Sequence, residues 1–149
     1  MPKSKKCPNL ALSALMLSVS LFSCTSQEAH PEPLDVVEAT IPEMQRAMEE
    51  GRVTSRELVE AHLLRVALYE ERVNAVISVN ANALAEADRL DRERAEGRVR
   101  GPLHGIPVAL KDNIHTTDLP TSGGTLAFEG FVPPYEATLT ANLREAGAV

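Results

Sequence analysis

The sequence is poor in aromatic residues and has no excess of positive charge, and both scarcities exclude classes of function. Only 3% of its 149 residues are aromatic and Trp is absent, so we expect no platform of rings for stacking nucleic-acid bases. The formal net charge is -6, whereas binding to a phosphate backbone or an anionic membrane surface needs a concentrated basic face. The composition therefore predicts no nucleic-acid partner.

Cysteine and histidine are also sparse. The 2 cysteines, Cys7 and Cys24, both lie near the start of the chain, and neither has a neighbour at metal-ligand spacing. The 4 histidines show no cluster. The sequence thus predicts no metal site and no internal disulfide.

Residues 1–24 have the pattern of an export signal. Three lysines precede a short apolar stretch at residues 10–22, which is shorter than a membrane span but typical of a secretory signal peptide. Cys24 follows Ser23 at the end of this stretch, an arrangement that resembles the lipobox of bacterial lipoproteins, although Phe22 departs from the small residue usual there. We expect export to the periplasm or cell surface, lipidation of Cys24 and a membrane contact through that lipid.

The rest of the chain predicts an α/β architecture. Residues 25–34 are polar and contain prolines, as a tether does, and the domain then occupies residues 35–149. Helices are predicted over residues 35–50, from a capping box at Thr54 and Glu57, and over residues 81–96 and 137–147. Short β-branched or apolar runs at residues 73–79 and 106–110 predict strands, the second of them buried. Helices that alternate with strands favour a layered α/β fold.

Lysine is the residue whose distribution carries most information. Lys3, Lys5 and Lys6 fall in the signal, Lys111 is the one lysine of the domain, and all other basic residues are Arg. Arg replaces Lys on a surface but not where an amine must lose its proton. Lys111 also follows an apolar run, where burial lowers the pKa of an amine and suits it to act as a general base. The alternative from chemistry alone is a surface lysine at a strand end, paired with Asp112.

The segment around Lys111 resembles the catalytic-lysine segment of the amidase signature family. That segment reads Gly-Pro-Leu-His-Gly-Ile-Pro-Val-Ala-Leu-Lys-Asp-Asn-Ile at residues 101–114. The similarity extends to residues 54–59, 74–77, 121–125, Phe131 and 143–149, so it covers nearly everything after Leu34. It implies the N-terminal portion of the amidase signature fold, with helices packed on a mixed central sheet that is incomplete in these residues.

The resemblance also implies a chemistry. Family members hydrolyse a small-molecule or peptide amide without a cofactor, through a Ser–cis-Ser–Lys mechanism in which Lys111 would be the base. The Gly/Ser-rich segment that carries both serines is expected beyond Val149, so the 149 residues alone are expected to be inactive. The glutaminyl-tRNA amidotransferase branch of the family fits less well, because it acts in the cytosol with partner subunits while this chain carries an export pattern.

Other candidate residues have weaker support. Ser122 lies in a Gly-flanked loop but lacks the strained strand-turn-helix geometry of a nucleophile, so we consider it only as a residue near the substrate. His104 and His115 lack an acidic partner at a known spacing and are interpreted as loop histidines. The rival to an enzyme is a non-catalytic exported fragment or an anchored helical module. Oligomeric state and the identity of the amide are not readable from these residues.

Overall fold

The computed structural model describes residues 34–149, which contain four α-helices and one short 3₁₀ turn. The helices are α1 (Ile41–Glu49), α2 (Ser55–Val73), α3 (Ala83–Ala95) and α4 (Thr138–Glu145), and the 3₁₀ turn is Leu126–Phe128. The predicted signal, Cys24 and nearly all of the predicted tether lie outside the described residues. None of the helices that the structure describes is both long and apolar enough to cross a membrane.

Reciprocal capping boxes fix the starts of the first two helices. The Thr54 hydroxyl accepts from the Glu57 amide at 3.1 Å while the Glu57 carboxylate accepts from the Thr54 amide at 2.7 Å, which confirms the predicted box. Thr40 and Glu43 form a second box at the start of α1. The prediction of a helix from residue 35 was therefore wrong: Thr40 caps the helix and places Pro42 in its first turn, where its missing N–H costs nothing.

Helices α2 and α3 pack together within the described residues. Asp91 of α3 accepts from the backbone amides of Ser55 at 2.7 Å and Arg56 at 3.1 Å, so a carboxylate of one helix caps the positive end of the other. Val59 of α2 packs with Ala83 and Ala87 of α3 in one buried apolar cluster. A second cluster joins α1 and α2 to the segment after α3, and it is formed by Met44, Met48, Leu58 and Ile106. Helical spacing in the sequence predicts that Leu84, Ala87 and Leu90 of α3 face inward; Ala87 and Leu90 are buried, and Leu84 is half-buried.

The turn at residues 101–106 docks onto these helices through backbone and histidine contacts. His104 is fully buried, and its Nε2 lies 2.9 Å from the Leu90 carbonyl while its Nδ1 accepts from the Arg100 amide at 3.3 Å. Because a carbonyl only accepts, these partners assign the proton to Nε2. The Gln45 amide donates to the His104 carbonyl at 3.0 Å. The turn is thereby held by α1 and α3 together.

The predicted strands are not present among the described residues. Residues 73–79 form the end of α2 and an exposed irregular segment, with Ile77 64% exposed. In residues 106–110 Ile106 is buried but Val108 and Ala109 are exposed, so the prediction of a fully buried strand was wrong. A strand forms only where a second backbone segment pairs with it, and the pairing segment within residues 34–149 is short.

That partner is the segment after α4. The Gly105 amide donates to the Gly147 carbonyl at 2.7 Å, Val149 donates to Ile106 at 2.9 Å, and Val108 donates to Val149 at 2.8 Å. This alternation is the hydrogen-bond pattern of parallel chains, with α4 in the connection between them. The predicted mixed central sheet is thus limited in these residues to one short parallel pairing.

The backbone at Gly105 packs closely against the Ser55 side chain, and this contact gives a first prediction. A Cβ at Gly105 would lie 1.9 Å from the Ser55 Oγ, and the backbone φ of +79° is unfavourable for an L side chain. We expect Gly105→Ala to lower the free energy of unfolding by about 3 kcal/mol, from backbone strain and overpacking combined. Gly97→Ala is the matched control, because Gly97 has a similar φ of +76° but no atom within 4 Å. Equal losses in urea denaturation of the two variants would contradict the docking described for this turn.

Arg100 fastens the start of the same turn to α3. Its guanidinium donates to both carboxylate oxygens of Glu93, at 2.7 and 2.6 Å, and to the Arg144 carbonyl at the end of α4 at 3.2 Å. The hydrogen bonds from Arg100 lower the pKa of Glu93 to about 2. Glu93 in the folded protein therefore stays ionised well below the pH at which a free glutamate is protonated.

This shift predicts an acid-dependent stability. Because the pKa of Glu93 is lower in the folded state, its stabilisation is complete above about pH 4.5 and is lost as the pH falls towards about 2. We expect Glu93→Gln to weaken this dependence when urea midpoints are compared at pH 7 and pH 3. Glu96→Gln, which changes an exposed glutamate one residue after α3, should retain it. A wild type and an E93Q variant that lose stability in parallel over this range would refute the assignment.

Candidate active site

Lys111 lies on a cleft of about 290 Å³ in the part of the chain that the structure describes. The walls come from the segment after α2, the segment 108–120 and helix α4. Apolar side chains such as Val76, Leu110 and Leu143 form much of the lining, and the polar members are Ser78, Asn80, Glu86, Lys111, Asp112, Thr116, Thr140 and Arg144. A mainly apolar cleft with a few polar groups is the usual form of a small-molecule site.

The Lys111 side chain is exposed and has no hydrogen bond or ion pair with any residue in the range 34–149. The expectation that burial at a strand end would desolvate this amine is not met, because Val108 and Ala109 just before it are themselves exposed. Its backbone carbonyl accepts from the Ile114 amide at 2.9 Å, which turns the chain directly after the lysine. The turn leaves the amine at the cleft.

Asp112 does not pair with Lys111, so the alternative of a surface lysine agrees with the structure in its exposure but not in its partner. One carboxylate oxygen of Asp112 accepts from the Ser122 hydroxyl at 2.6 Å and from the Gly124 amide at 3.0 Å, and the other accepts from the Ser122 amide at 3.2 Å. The Asp112 carbonyl accepts from the Gly123 amide at 3.1 Å. Asp112 thus ties residues 122–124 to the turn that follows Lys111.

The donors around Asp112 favour its ionised form. The hydrogen bond from the Ser122 hydroxyl, followed by those from backbone amides of residues 122–124, lowers the pKa of the Asp112 carboxyl. Ser122 is not among the residues that line the cleft. Its hydroxyl is committed to Asp112, and its contact with a substrate stays a prediction.

Arg144 of α4 lines the cleft and contacts three acidic side chains. It was not identified from the sequence. Its Nη2 donates to both carboxylate oxygens of Asp118 at 2.7 and 2.8 Å, and its Nη1 lies 3.8 Å from Glu86 of α3. Its Nε is 2.8 Å from Glu136 but is not aligned for a hydrogen bond. The three acidic partners lie at unrelated positions in the sequence, so no spacing could have predicted this group.

His104 and His115, which flank Lys111 in the sequence, make contacts within the fold and do not line the cleft. His104 is buried between α3 and the docked turn. The carbonyl of His115 accepts from the Ala137 amide at 3.1 Å and the Thr140 hydroxyl at 2.8 Å, and its ring meets Tyr135 edge-on at 5.1 Å. Within the described residues no group of three acidic, histidine or cysteine side chains could hold a metal ion.

Comparison with known proteins places these observations in one family. The family model described as Amidase matches residues 57–149, which include α3, the docked turn, Lys111 and α4. The matched range is well over half of the chain.

Individual relatives agree with this match. The chain is 44% identical over 117 residues to a glutamyl-tRNA(Gln) amidotransferase subunit of Synechococcus sp. (strain CC9605), which is 78% of this chain and 24% of that protein. It resembles the peptide amidase of Stenotrophomonas maltophilia with a TM-score of 0.73 and 46% identity, over 76% of this chain and 24% of that one. An amidase family protein from Bacillus anthracis str. Ames matches with a TM-score of 0.72 and 36% identity, over 76% and 23%. The chain therefore spans about a quarter of the length of these relatives.

Proposed function

Because this chain belongs to the amidase family, we propose that the protein carrying it hydrolyses the C–N bond of a carboxamide, with Lys111 as the catalytic base. The observation that carries the proposal is the position of Lys111. It is the one lysine of the matched region, it lies on a cleft, and no described carboxylate pairs with it. A base must be free to accept a proton, and an ion-paired ammonium is not.

The proposed reaction uses two serines that this sequence does not contain. An uncharged Lys111 amine takes a proton through a bridging serine held by a cis peptide bond, and a second serine attacks the amide carbonyl. Collapse of the tetrahedral intermediate releases ammonia or an amine and leaves an acyl-enzyme that water hydrolyses to the acid. Backbone amides of the Gly/Ser-rich segment would stabilise the oxyanion. The 149 residues alone supply one member of this set, and we propose that they are inactive.

The substrate proposed is a small-molecule or peptide amide, as the name of the peptide amidase relative suggests. The similarity to a protein of an amidotransferase supports a second candidate, in which the ammonia released from an amide is passed on to another acceptor. The identities of 44% and 46% do not separate these two functions. Release of free ammonia without an acceptor supports hydrolysis, whereas a need for a partner protein supports the amidotransferase.

We further propose that the protein is exported and lipid-anchored through Cys24. The support is the sequence pattern of residues 1–24 alone, in which three lysines, an apolar stretch and a Ser-Cys pair follow in order. An exported location would favour an amidase over an amidotransferase that works on tRNA in the cytosol. Its rival is an exported non-catalytic module, in which Lys111 would have no chemical task.

Substitution of Lys111 tests the catalytic proposal. In the complete gene product, Lys111→Arg keeps a positive charge of similar reach but cannot supply an uncharged amine. We expect kcat/KM for ammonia release from a peptide amide to fall by about 10³-fold or more, the range for loss of a catalytic base. Arg98→Lys is the control, since Arg98 is exposed and pairs only with its neighbour Glu96 among the described residues. Activity in K111R within about tenfold of wild type would refute the role of Lys111.

The two cysteines provide a matched pair for the anchor. We expect Cys24→Ala to move the protein from the membrane fraction to the soluble fraction of the exported material, because the lipid acceptor is lost. Cys7→Ala should leave it in the membrane fraction, since residue 7 lies within the export signal and before the Ser-Cys pair that resembles the lipobox. The distribution is measured by immunoblot after cell fractionation. Equal behaviour of the two variants would argue against lipidation at Cys24.

A further inference from the structure

We infer that Ser122 is a positioning residue that keeps the Lys111 amine free by holding the neighbouring Asp112 carboxylate away from it. The inference rests on the proposed function in that it gives the base of that reaction a defined environment. Lys111 and Asp112 are adjacent in sequence and line the same cleft, so a carboxylate with no other donor would lie within reach of the amine. An ion pair between them would keep the amine charged.

The hydrogen bonds around Asp112 hold its carboxylate to residues 122–124 and not to Lys111. Both of its carboxylate oxygens are occupied, Oδ2 by the Ser122 hydroxyl at 2.6 Å and the Gly124 amide at 3.0 Å, and Oδ1 by the Ser122 amide at 3.2 Å. The hydroxyl makes the shortest of these contacts, and a hydrogen bond from a neutral donor to a carboxylate is among the stronger ones in proteins. Ser122 also accepts from the Gly124 amide at 3.2 Å, which holds the loop in the shape that presents all three donors.

The other charged groups facing the cleft do not replace Asp112 as partners of the lysine. Glu86 of α3 lies 3.8 Å from Arg144 of α4 and accepts from the Asn80 amide at 3.4 Å. Arg144 is engaged by Asp118. Each side-chain carboxylate that lines the cleft therefore has a donor other than Lys111, and Asp112 is the one joined directly to the lysine in sequence.

The free amine can be measured without any assay of activity. Trace acetylation of the complete gene product with acetic anhydride, followed by cleavage at arginine, yields the peptide of residues 101–144, in which Lys111 is the one lysine. Its labelling rate as a function of pH reports the uncharged amine. We expect Ser122→Ala to slow labelling about two- to fivefold at pH 7–9 and to move the profile to higher pH, because the released Asp112 pairs with Lys111 at the strength of an exposed ion pair.

Three further variants separate this effect from damage to the loop. Ser122→Thr keeps the hydroxyl and should label like wild type. The double variant S122A/D112N removes the carboxylate and should restore the wild-type rate or exceed it. Asp112→Glu keeps the charge on a longer side chain that no longer fits the loop donors, and should label as slowly as S122A. An unchanged rate in S122A, or a double variant that stays slow, would overturn the inference.

The complete gene product gives the functional counterpart. There S122A should move the acid limb of the kcat/KM profile to higher pH, and S122A/D112N should move it back. A loss of activity at all pH values with no such movement would mean that Ser122 only supports the loop. Failure of the catalytic proposal is recognised separately. In that case K111R would retain activity, while Lys111 in the variants that keep it would still be labelled more slowly after Ser122→Ala.

Discussion

The docking of the turn at residues 101–106 against three helices is the contact on which the rest of the structure depends. Gly105 comes so close to Ser55 that no side chain fits, and His104 is buried with both ring nitrogens satisfied. The chain leaves this turn with its direction set by the pairing to residues 147–149 and reaches Lys111 five residues after Ile106. A rigid support of this kind is what a catalytic group needs, because small displacements of a reacting group cost large factors in rate.

The charged side chains of α3 make many of the contacts between elements. Its carboxylates cap α2, bind Arg100 and face Arg144, so one acidic helix contacts the docked turn, the neighbouring helix and the wall of the cleft. In a sequence, blocks of Asp, Glu and Arg along a helix are ordinarily interpreted as a solvated surface. The side chains that join elements, such as Asp91 and Glu86, cannot be told from surface charges until their partners are known, because those partners are distant in the chain.

Features that depend on residues close together in the sequence were predicted correctly, and features that depend on contacts between distant residues were not. The capping box at Thr54 and the inward face of α3 were predicted because both depend on residues within one or two turns of helix. The strand predicted at residues 106–110 is not formed within the described residues, because a strand requires neighbours that residues 34–149 do not provide. Lys111 was singled out by its rarity, but the alternative that paired it with Asp112 was wrong in that pairing, since the Ser122 hydroxyl binds that carboxylate from ten residues away.

Lys111 has a catalytic task only if this chain supplies the lysine of a set whose serines lie in further polypeptide. The most direct measurement is the nucleotide sequence that follows the Val149 codon in the source genome, read together with the mass of the protein that the cells make. We predict an open frame that enters a Gly/Ser-rich segment with two serines, and a product about four times the length of this chain, as in the relatives. A stop codon directly after Val149 and a product of 149 residues would contradict the claim and leave Lys111 without a reaction to catalyse.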